Sequence, residues 1–303
     1  MTIDNPATTD NTAQVEYGSP RNSSSAGTSS VGTNLRIPRK LRRRTHHRAL
    51  VPVASFIFAL TVWYATSYLV LTPDRRFLLP PPHEILTQSL LLPSHLGPMV
   101  DALWVTARTA GLGLLIATVI GVLVGSLMTQ ARWIERFMFP YAIAFHVVPI
   151  LAIVPLLGLW FGFGSVSRVV VCVMIALFPI ISNTHFGLSS VPPGLHELFD
   201  LGRASRLQRF VRLELPSALP AIFAGLQIAA GQAVVGAIIG DMFFARGEPG
   251  IGTLIDVYRS QLRSADLIAA IVIASAFGVA VFSLSKYVAH RSVGSWHGPR
   301  ERQ

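Results

Sequence analysis

Residues 215–240 read LPSALPAIFAGLQIAAGQAVVGAIIG and contain no charged side chain. A membrane-spanning helix needs about 20 mainly apolar residues to cross about 30 Å of hydrocarbon, and this stretch exceeds that length. Backbone polar groups in lipid must be hydrogen-bonded within the protein, which a helix achieves within one segment. The stretch therefore predicts a transmembrane helix.

The rest of the chain repeats this pattern. Hydrophobic residues make up 51% of the 303 residues and charged residues only 13%, and the charges are excluded from long tracts. Five further charge-free stretches cover residues 49–71, 109–130, 137–167, 169–196 and 267–285. The two-residue alternation of a transmembrane barrel is absent from the sequence. We therefore predict an all-α integral membrane protein with six transmembrane helices.

The third of these stretches is distinguished by its prolines, Pro140, Pro149 and Pro155. Proline removes a backbone donor and clashes with the preceding helical turn. We therefore expect this span to be kinked or broken rather than a straight rod. The patterns GVLVG at 121–125 and GAIIG at 236–240 are expected to allow close approach between helices.

The distribution of basic residues predicts the orientation in the membrane. Most of the 25 Lys and Arg residues fall on one side if both termini are cytosolic, in agreement with the positive-inside rule. We expect a disordered basic cytosolic tail over residues 1–45, a transmembrane domain over residues 46–292 and a cytosolic tail over residues 293–303. The cluster RIPRKLRRRTHHR at residues 36–48 contributes to the net charge of +10. We interpret it as a contact for anionic lipid headgroups rather than for nucleic acid.

An amphipathic segment separates the fourth and fifth stretches. Residues 193–217 read PGLHELFDLGRASRLQRFVRLELPS, and their apolar residues have helical spacing on both sides of a break at Ala204 and Ser205. The apolar faces are formed by Leu195, Leu198 and Phe199 in the first helix and by Leu207, Phe210 and Val211 in the second. The second helix is expected to end at Leu215 and Pro216. Such a segment fits docking on a partner protein, and the alternative is that it lies on the membrane surface.

Common motifs for chemistry within this chain are missing from the sequence. It contains no G-x-x-x-x-G-K-[ST] loop, and neither Lys40 nor Lys286 has a preceding glycine. No H-E-x-x-H, C-x-x-C or G-x-S-x-G motif occurs. We therefore predict that the chain is not an enzyme and has no catalytic set, no metal site and no cofactor of its own.

From residue 80 to about residue 296 the chain resembles the integral membrane subunit of binding-protein-dependent ABC importers. The resemblance is to the group that serves nitrate, sulfonate, taurine, bicarbonate and thiamine-precursor uptake. Its most specific part is the family's cytosolic loop, E-A-A-x3-G-x9-I-x-L-P, which here runs from Glu197 to Pro216. Supporting matches lie at residues 80–86, 149–168, 215–229 and 250–255. The resemblance implies the all-α architecture of a type I ABC importer permease.

The loop departs from the family pattern at several positions. Leu198 and Phe199 replace the two alanines, Leu213 replaces the isoleucine, and Arg203 replaces the glycine. Glycine normally allows the turn between the two loop helices. Either Gly202 forms this turn instead, or the loop couples less well or couples to a dedicated ATPase.

The resemblance implies a subunit that forms the substrate path and docks on a separate ATPase. The implied partners are a dimer of cytosolic ABC ATPases that carries ATP and Mg²⁺, an external substrate-binding protein, the lipid bilayer of a bacterial plasma (inner) membrane, and a second permease copy as a homodimer. The implied substrate is a small anion such as a sulfonate, taurine or nitrate, or a vitamin precursor. The residues implied in ATPase coupling are Leu195, Glu197, Leu198, Phe199, Gly202, Arg203, Arg206, Leu213, Leu215 and Pro216.

Polar side chains in or near the apolar stretches are candidates for lining the translocation path, because an unpartnered polar group is costly in lipid. The candidates are His146, Gln227, Gln232 and Asp241. For His146 the alternative is a role in helix packing, and Asp241 can instead pair with Arg246. For the same reason Asn183 and His185 are expected to face protein or a water-filled path, and the alternative, since they lie toward the predicted cytosolic end, is contact with lipid headgroups.

Two other functional classes remain open from the sequence. A secondary carrier needs an ionisable site at the membrane midplane or broken helices that bind Na⁺, and only the third stretch offers a hint of these. A membrane-embedded enzyme needs a convergent acid, base or nucleophile set. Both would act as the single chain, whereas an importer subunit depends on ATP and on a second protein.

Overall fold

The computed structural model describes residues 47–293, with side chains over residues 53–292. The chain divides into two units, Met1–Val51 and Pro52–Gln303, and of the first only residues 47–51 are described. The predicted tails therefore lie outside the described residues, apart from Val293. The described helices are α1 (His47–Ala65), α2 (Pro82–Ile85), α3 (Pro93–Gln130), α4 (Arg132–Val147), α5 (Ile150–Phe161), α6 (Ser165–Ser189), α7 (Pro193–Leu201), α8 (Arg206–Arg209), α9 (Leu215–Phe243), α10 (Ile251–Ser260) and α11 (Ser264–Val293).

Five of the helical segments are long and apolar enough to cross a membrane. They are Val53–Val70, in which a π-turn extends α1, then α3, α6, the continuous segment of α8 and α9, and α11. α4 and α5 together give a sixth, broken span. No strand occurs between residues 47 and 293. The predicted all-α membrane fold is thus confirmed, with five or six spans according to how the bent pair is counted.

The bent pair is the third predicted span. α4 and α5 meet at an angle of 100° across Val148 and Pro149. The N–H of Val148 still donates to the carbonyl of Ala144 at 3.0 Å, but Pro149 has no N–H with which to continue the helix. Pro140 and Pro155 remain inside their helices. The predicted break is confirmed, and the central proline lies at it.

Several predicted ends of the spans are wrong. α3 begins at Pro93 and passes through Arg108, α6 begins before Arg168, and α9 continues past Asp241. The sequence prediction ended each span at a charged residue, but the charges of Arg168 and Asp241 are neutralised by each other within the protein. α6 also ends at Ser189 rather than at residue 196, and α11 extends beyond both ends of its predicted stretch.

Glycines allow α3 and α9 to approach α6 closely. A Cβ atom placed on Gly113 would lie 2.3 Å from the Cβ of Cys172, and one on Gly121 would lie 2.7 Å from Cγ2 of Ile180. On the α9 side, a Cβ on Gly236 would lie 3.0 Å from the Cα of Cys172. Because dense interiors leave no room for an added methyl group, these positions favour glycine. The small-residue patterns therefore have the packing role that was predicted for them.

Candidate coupling surface and translocation path

Residues 193–216, called here the coupling segment because the resemblance predicts that they contact an ATPase, begin with a helix whose apolar face is open. α7 starts at Pro193, where the missing N–H sacrifices no helical hydrogen bond. Leu195, Leu198 and Leu201 are 40%, 60% and 83% exposed, while Phe199 is half-buried. Leu201, three residues after Leu198, adds one more exposed apolar side chain beside the predicted face. These leucines remain largely uncovered by residues 53–292.

The turn after α7 has its left-handed residue at Arg203. The φ angle of Arg203 is 49°, whereas that of Gly202 is −75°. The N–H of Arg203 donates to the carbonyl of Asp200 at 3.0 Å, and the N–H of Ala204 donates to the carbonyl of Phe199 at 3.0 Å. This pair of bonds is the Schellman arrangement, whose left-handed position is usually glycine. The alternative in which Gly202 supplies the turn is therefore wrong, since the arginine itself adopts the conformation at the position of the family glycine.

The second loop helix begins at Ser205 and continues into the membrane span. Ser205 and Gln208 form a capping box, with bonds of 3.2 Å and 3.0 Å between side chain and backbone N–H in the two directions. A π-turn over Phe210–Glu214 then joins α8 to α9 without a break. The prediction that the helix ends at Leu215 and Pro216 is wrong. Pro216 has no N–H to donate, but the π-turn just before it changes the hydrogen-bond register, and the helix continues. Both residues are half-buried in the first turn of α9.

Arg209 links the two loop helices electrostatically. Its Nη1 lies 2.8 Å from Oδ1 of Asp200 on α7, and its Nε lies 3.7 Å from Oε1 of Glu214. These side chains thus brace the turn that Arg203 forms. The loop's other charged side chains are exposed and make no ion pair with another described residue: Glu197, Arg203, Arg206 and Arg212.

The apolar face of α8 is directed differently from that of α7. Phe210 packs against the cluster that contains Ala218 and Ile222, and Leu213 is buried. Leu207 is 71% exposed and lines a groove against α3. The two predicted apolar faces therefore differ in part. α7 presents its leucines openly, whereas on the second helix Phe210 packs against the membrane-spanning helices and Leu207 and Val211 stay exposed.

The predicted path residues do not converge on one site. His146 lies near the end of α4 and stacks on Phe178 with ring centroids 4.5 Å apart, which fits the packing role considered for it. Gln227 and Gln232 are half-buried on α9, and their separation of five residues turns them about 140° apart around the helix. Asp241 lies about 13 Å farther along α9 than Gln232. Among the side chains of residues 53–292, no three metal-ligating groups cluster.

Protein atoms, rather than headgroups alone, satisfy the two residues predicted near the membrane surface. Nε2 of His185 lies 3.2 Å from Oε1 of Glu135, and its Nδ1 lies 3.4 Å from Oγ1 of Thr129. Nδ2 of Asn183 donates to the carbonyl of Pro179 at 2.8 Å. Of the two alternatives, contact with protein is therefore the one observed for both side chains.

Asp241 is fully buried where α9 meets α3, α6 and α10. Its Oδ1 lies 3.3 Å from Nη1 of Arg168, and its Oδ2 accepts a hydrogen bond from Oγ1 of Thr106 at 2.6 Å. The same Thr106 oxygen accepts from the N–H of Ile251 at 2.8 Å. The predicted pairing with Arg246 is wrong, since Arg246 contributes only its carbonyl, 3.3 Å from Nη2 of Arg168. Asp241 is enclosed and faces no open path in this structure.

Arg168 and Thr106 are the members of this buried cluster that the sequence patterns did not single out. Nε and Nη1 of Arg168 donate to the carbonyls of Phe244 at 2.8 Å and Glu248 at 2.9 Å. The opposite charges of Arg168 and Asp241 could have suggested this ion pair, because the two residues border stretches that are predicted to end on the same side of the membrane. Thr106 carried no comparable signal.

Comparison with known proteins identifies the family. Residues 117–294 match the sequence model of the family described as binding-protein-dependent transport system inner membrane component. The chain belongs to this family. It is therefore a multi-pass inner-membrane protein and the permease subunit of an ABC importer, as the resemblance of its loop predicted.

Two permeases and a solved structure agree with this membership. The chain is 32% identical over 240 residues to the formylaminopyrimidine transport permease protein of Halalkalibacterium halodurans, covering 79% of this chain and 93% of that one. It is 26% identical over 264 residues to the taurine transport system permease protein of Escherichia coli, covering 86% and 94%. An inward-facing structure of a methionine ABC transporter matches with a TM-score of 0.58 at 19% identity, covering 67% of this chain and 99% of the matched chain. The predicted fold of an importer permease is thus confirmed.

Proposed function

We propose that this permease couples substrate import to a separate cytosolic ATPase through residues 193–216. The observation that supports the proposal is the open apolar face of α7. Leu195, Leu198 and Leu201 are exposed on a helix of nine residues, outside the candidate membrane spans. Covering these leucines in a cleft on a partner is favourable by the hydrophobic effect. Exposed charged residues such as Glu197 and Arg203 then lie at the rim of the interface and set its register.

The continuity of α8 with α9 gives docking a mechanical route into the membrane. A partner that moves α7 also moves α8, because Arg209 holds Asp200 and Glu214 together across the turn. Closure of the ATP-loaded ATPases would shift the span formed by α9 and switch the path between inward and outward access. ATP and Mg²⁺ belong to the ATPase in this proposal, and no ATP chemistry takes place on the permease chain.

The same proposal fixes the orientation and the other partners. The coupling segment, both termini and the tails at residues 1–45 and 293–303 lie in the cytosol, while the domain at residues 46–292 lies in the membrane. An external binding protein delivers the substrate. A second copy of the permease completes the path, because one chain encloses only half of it.

We infer that the substrate is a small polar molecule, either an anion such as a sulfonate, taurine or nitrate, or a vitamin precursor. The compared permeases are named for the transport of formylaminopyrimidine and of taurine, which fall in these two classes. His146, Gln227 and Gln232 remain the candidates for contact with it. Selection among such substrates falls to the binding protein, so the permease needs no high-affinity charged site.

Affinity isolation tests the coupling proposal. The tagged full-length chain is isolated from gently solubilised native membranes, and co-isolated proteins are quantified by mass spectrometry. Wild type should recover an ABC ATPase subunit, and Leu198→Asp should lower that recovery about tenfold or more, because it places a charge in an interface that must be desolvated. Leu262→Asp is the matched control, since Leu262 is 63% exposed against 60% for Leu198 and lies beyond the far end of α9.

Recovery of the wild-type chain alone, under conditions that keep a known importer complex intact, would contradict the proposal. A secondary carrier or a membrane-embedded enzyme would then explain the chain better, because either acts without an ATPase. Retention of the ATPase by Leu198→Asp would show instead that the partner docks elsewhere.

A further inference from the structure

A groove of about 440 Å³ lies between α3 and the helix formed by α8 and the following π-turn, and is called here the α3–α8 groove. α3 contributes Leu123, Leu127 and Gln130 to its lining, and the loop side contributes Arg206, Leu207 and Phe210. The groove is separate from the open face of α7. Its position next to a membrane span raises the question of which molecule occupies it.

The groove has a polar mouth and an apolar depth. Gln130 is the last residue of α3 and Arg206 is the first residue of α8, and we take the end of the groove that they line as its mouth. From there to Leu123 the axis of α3 runs about 10 Å. Because α3 is a membrane-spanning helix, the apolar part of the groove lies at the depth of the hydrocarbon and its mouth lies near the headgroups.

The apolar walls of the groove remain largely uncovered. Leu123, Leu127 and Leu207 are 58%, 53% and 71% exposed. In a membrane such side chains are in contact with lipid acyl chains. A hydrocarbon ligand therefore suits these walls better than a soluble peptide does.

The charge at the mouth selects among lipids. Arg206 is exposed and has no ion pair with another described residue, and no acidic side chain is among those that line the groove. A guanidinium binds phosphate oxygens through charge-assisted hydrogen bonds, and basic pockets beside membrane helices favour anionic headgroups. A zwitterionic headgroup also carries a cationic group, and no carboxylate lines this groove to pair with it.

We propose that the α3–α8 groove binds one anionic phospholipid from the leaflet on the side of the coupling segment. Its phosphate lies on Arg206, and one acyl chain lies beside Leu123, Leu127 and Leu207. The lipid thereby fills the space beneath the second loop helix and supports it against α3. This inference requires only the membrane location of α3, so it stands independently of docking to the ATPase.

Native mass spectrometry of the full-length chain tests the proposal, with dioleoyl phosphatidylglycerol and dioleoyl phosphatidylcholine as competing probes. Wild type should retain one phosphatidylglycerol with a preference of about fivefold or more over phosphatidylcholine. Arg206→Gln should abolish this preference, and Arg206→Lys should keep most of it. Arg212→Gln is the control, because Arg212 is also exposed and unpaired within the described residues but does not line the groove.

A second variant tests the apolar part of the site. Ser126 also lines the groove, and Ser126→Phe should fill it and remove the tightly retained lipid while leaving weak binding elsewhere unchanged. Equal retention of the two lipids by wild type would overturn the proposal, as would an unchanged preference in Arg206→Gln. Efficient disulfide crosslinking between two Leu123→Cys copies would also overturn it, because a second permease would then occupy the groove. Arg206→Gln alters one exposed side chain, so the test does not depend on correct folding of Ser126→Phe.

Discussion

Nη1 of Arg168 lies 3.3 Å from Oδ1 of Asp241, and both side chains are fully buried at the end of the bundle away from the coupling segment. Thr106 donates to the same carboxylate, and backbone carbonyls after α9 accept from the guanidinium. The pair therefore joins α3, α6 and α9 with the chain that leads to α10. In this structure it is a joint between helices rather than a lining of the path.

Replacement of one member of this pair should be more damaging than replacement of both. Asp241→Ala leaves a buried guanidinium without its charge partner and should lower the free energy of unfolding by about 3–5 kcal/mol. The double variant Arg168→Met with Asp241→Leu removes both charges and should be less destabilised. Denaturant unfolding of the purified chain in detergent measures both. A wild-type unfolding curve for Asp241→Ala would show that the pair does not stabilise the fold.

Two glycines on α3 provide a matched test of helix packing. Gly113→Ala places a methyl group 2.3 Å from the Cβ of Cys172 and should destabilise the protein by about 1–3 kcal/mol through overpacking. Gly111→Ala, on the same helix, meets no atom within 4 Å and should stabilise it by about 0.5–1 kcal/mol. Thermal unfolding in detergent compares the two variants. Equal shifts would mean that α3 does not approach α6 as closely as described.

The fold was predictable where one local property determines it. Residues 215–240 are apolar over more than the thickness of the membrane, and Pro149 cannot continue a helix, so the span and the break follow from the sequence alone. The span ends were not predictable from single charges. Arg168 and Asp241 remain inside helices because they meet across a sequence separation that no local pattern reveals.

The candidate site was likewise predictable in one part and not in another. The two helices of the coupling segment follow from local apolar spacing, but the position of the left-handed residue does not follow from glycine content. The bonds to Phe199 and Asp200 place Arg203, rather than Gly202, at that position. The path could not be predicted, because His146 and Gln232 lie on different helices and only tertiary packing decides what each side chain faces.

The left-handed turn at Arg203 predicts a stabilising substitution. A residue with a Cβ pays about 1 kcal/mol for this conformation, so Arg203→Gly should stabilise the chain by about that amount. Gly202→Ala is the control, because Gly202 has φ −75° and its added Cβ meets nothing nearer than 3.6 Å. That variant should change stability by less than about 0.5 kcal/mol. Loss of stability in Arg203→Gly, measured by denaturant unfolding, would mean that contacts of the arginine outweigh its backbone strain.

The bracing role of Arg209 separates docking from transmission. Arg209→Met removes the contacts to Asp200 and Glu214 but leaves the open leucines of α7 unchanged. Because the contacts are partly exposed, stability should fall by less than about 1 kcal/mol, and the ATPase should still be co-isolated. Uptake in proteoliposomes that contain the complete importer should fall about fivefold, as expected if about 1 kcal/mol of coupling between α7 and α8 is lost.

Arg212→Met is the control for this variant, because Arg212 makes no ion pair with another described residue, and its uptake should match that of wild type. If Arg209→Met instead loses the ATPase altogether, Arg209 takes part in docking itself. If it transports at the wild-type rate, movement passes from α7 to α9 through the Schellman turn and the backbone alone. Only reduced uptake with a retained ATPase agrees with an electrostatic brace between α7 and α9. In that result α7 still binds its partner but no longer moves α9.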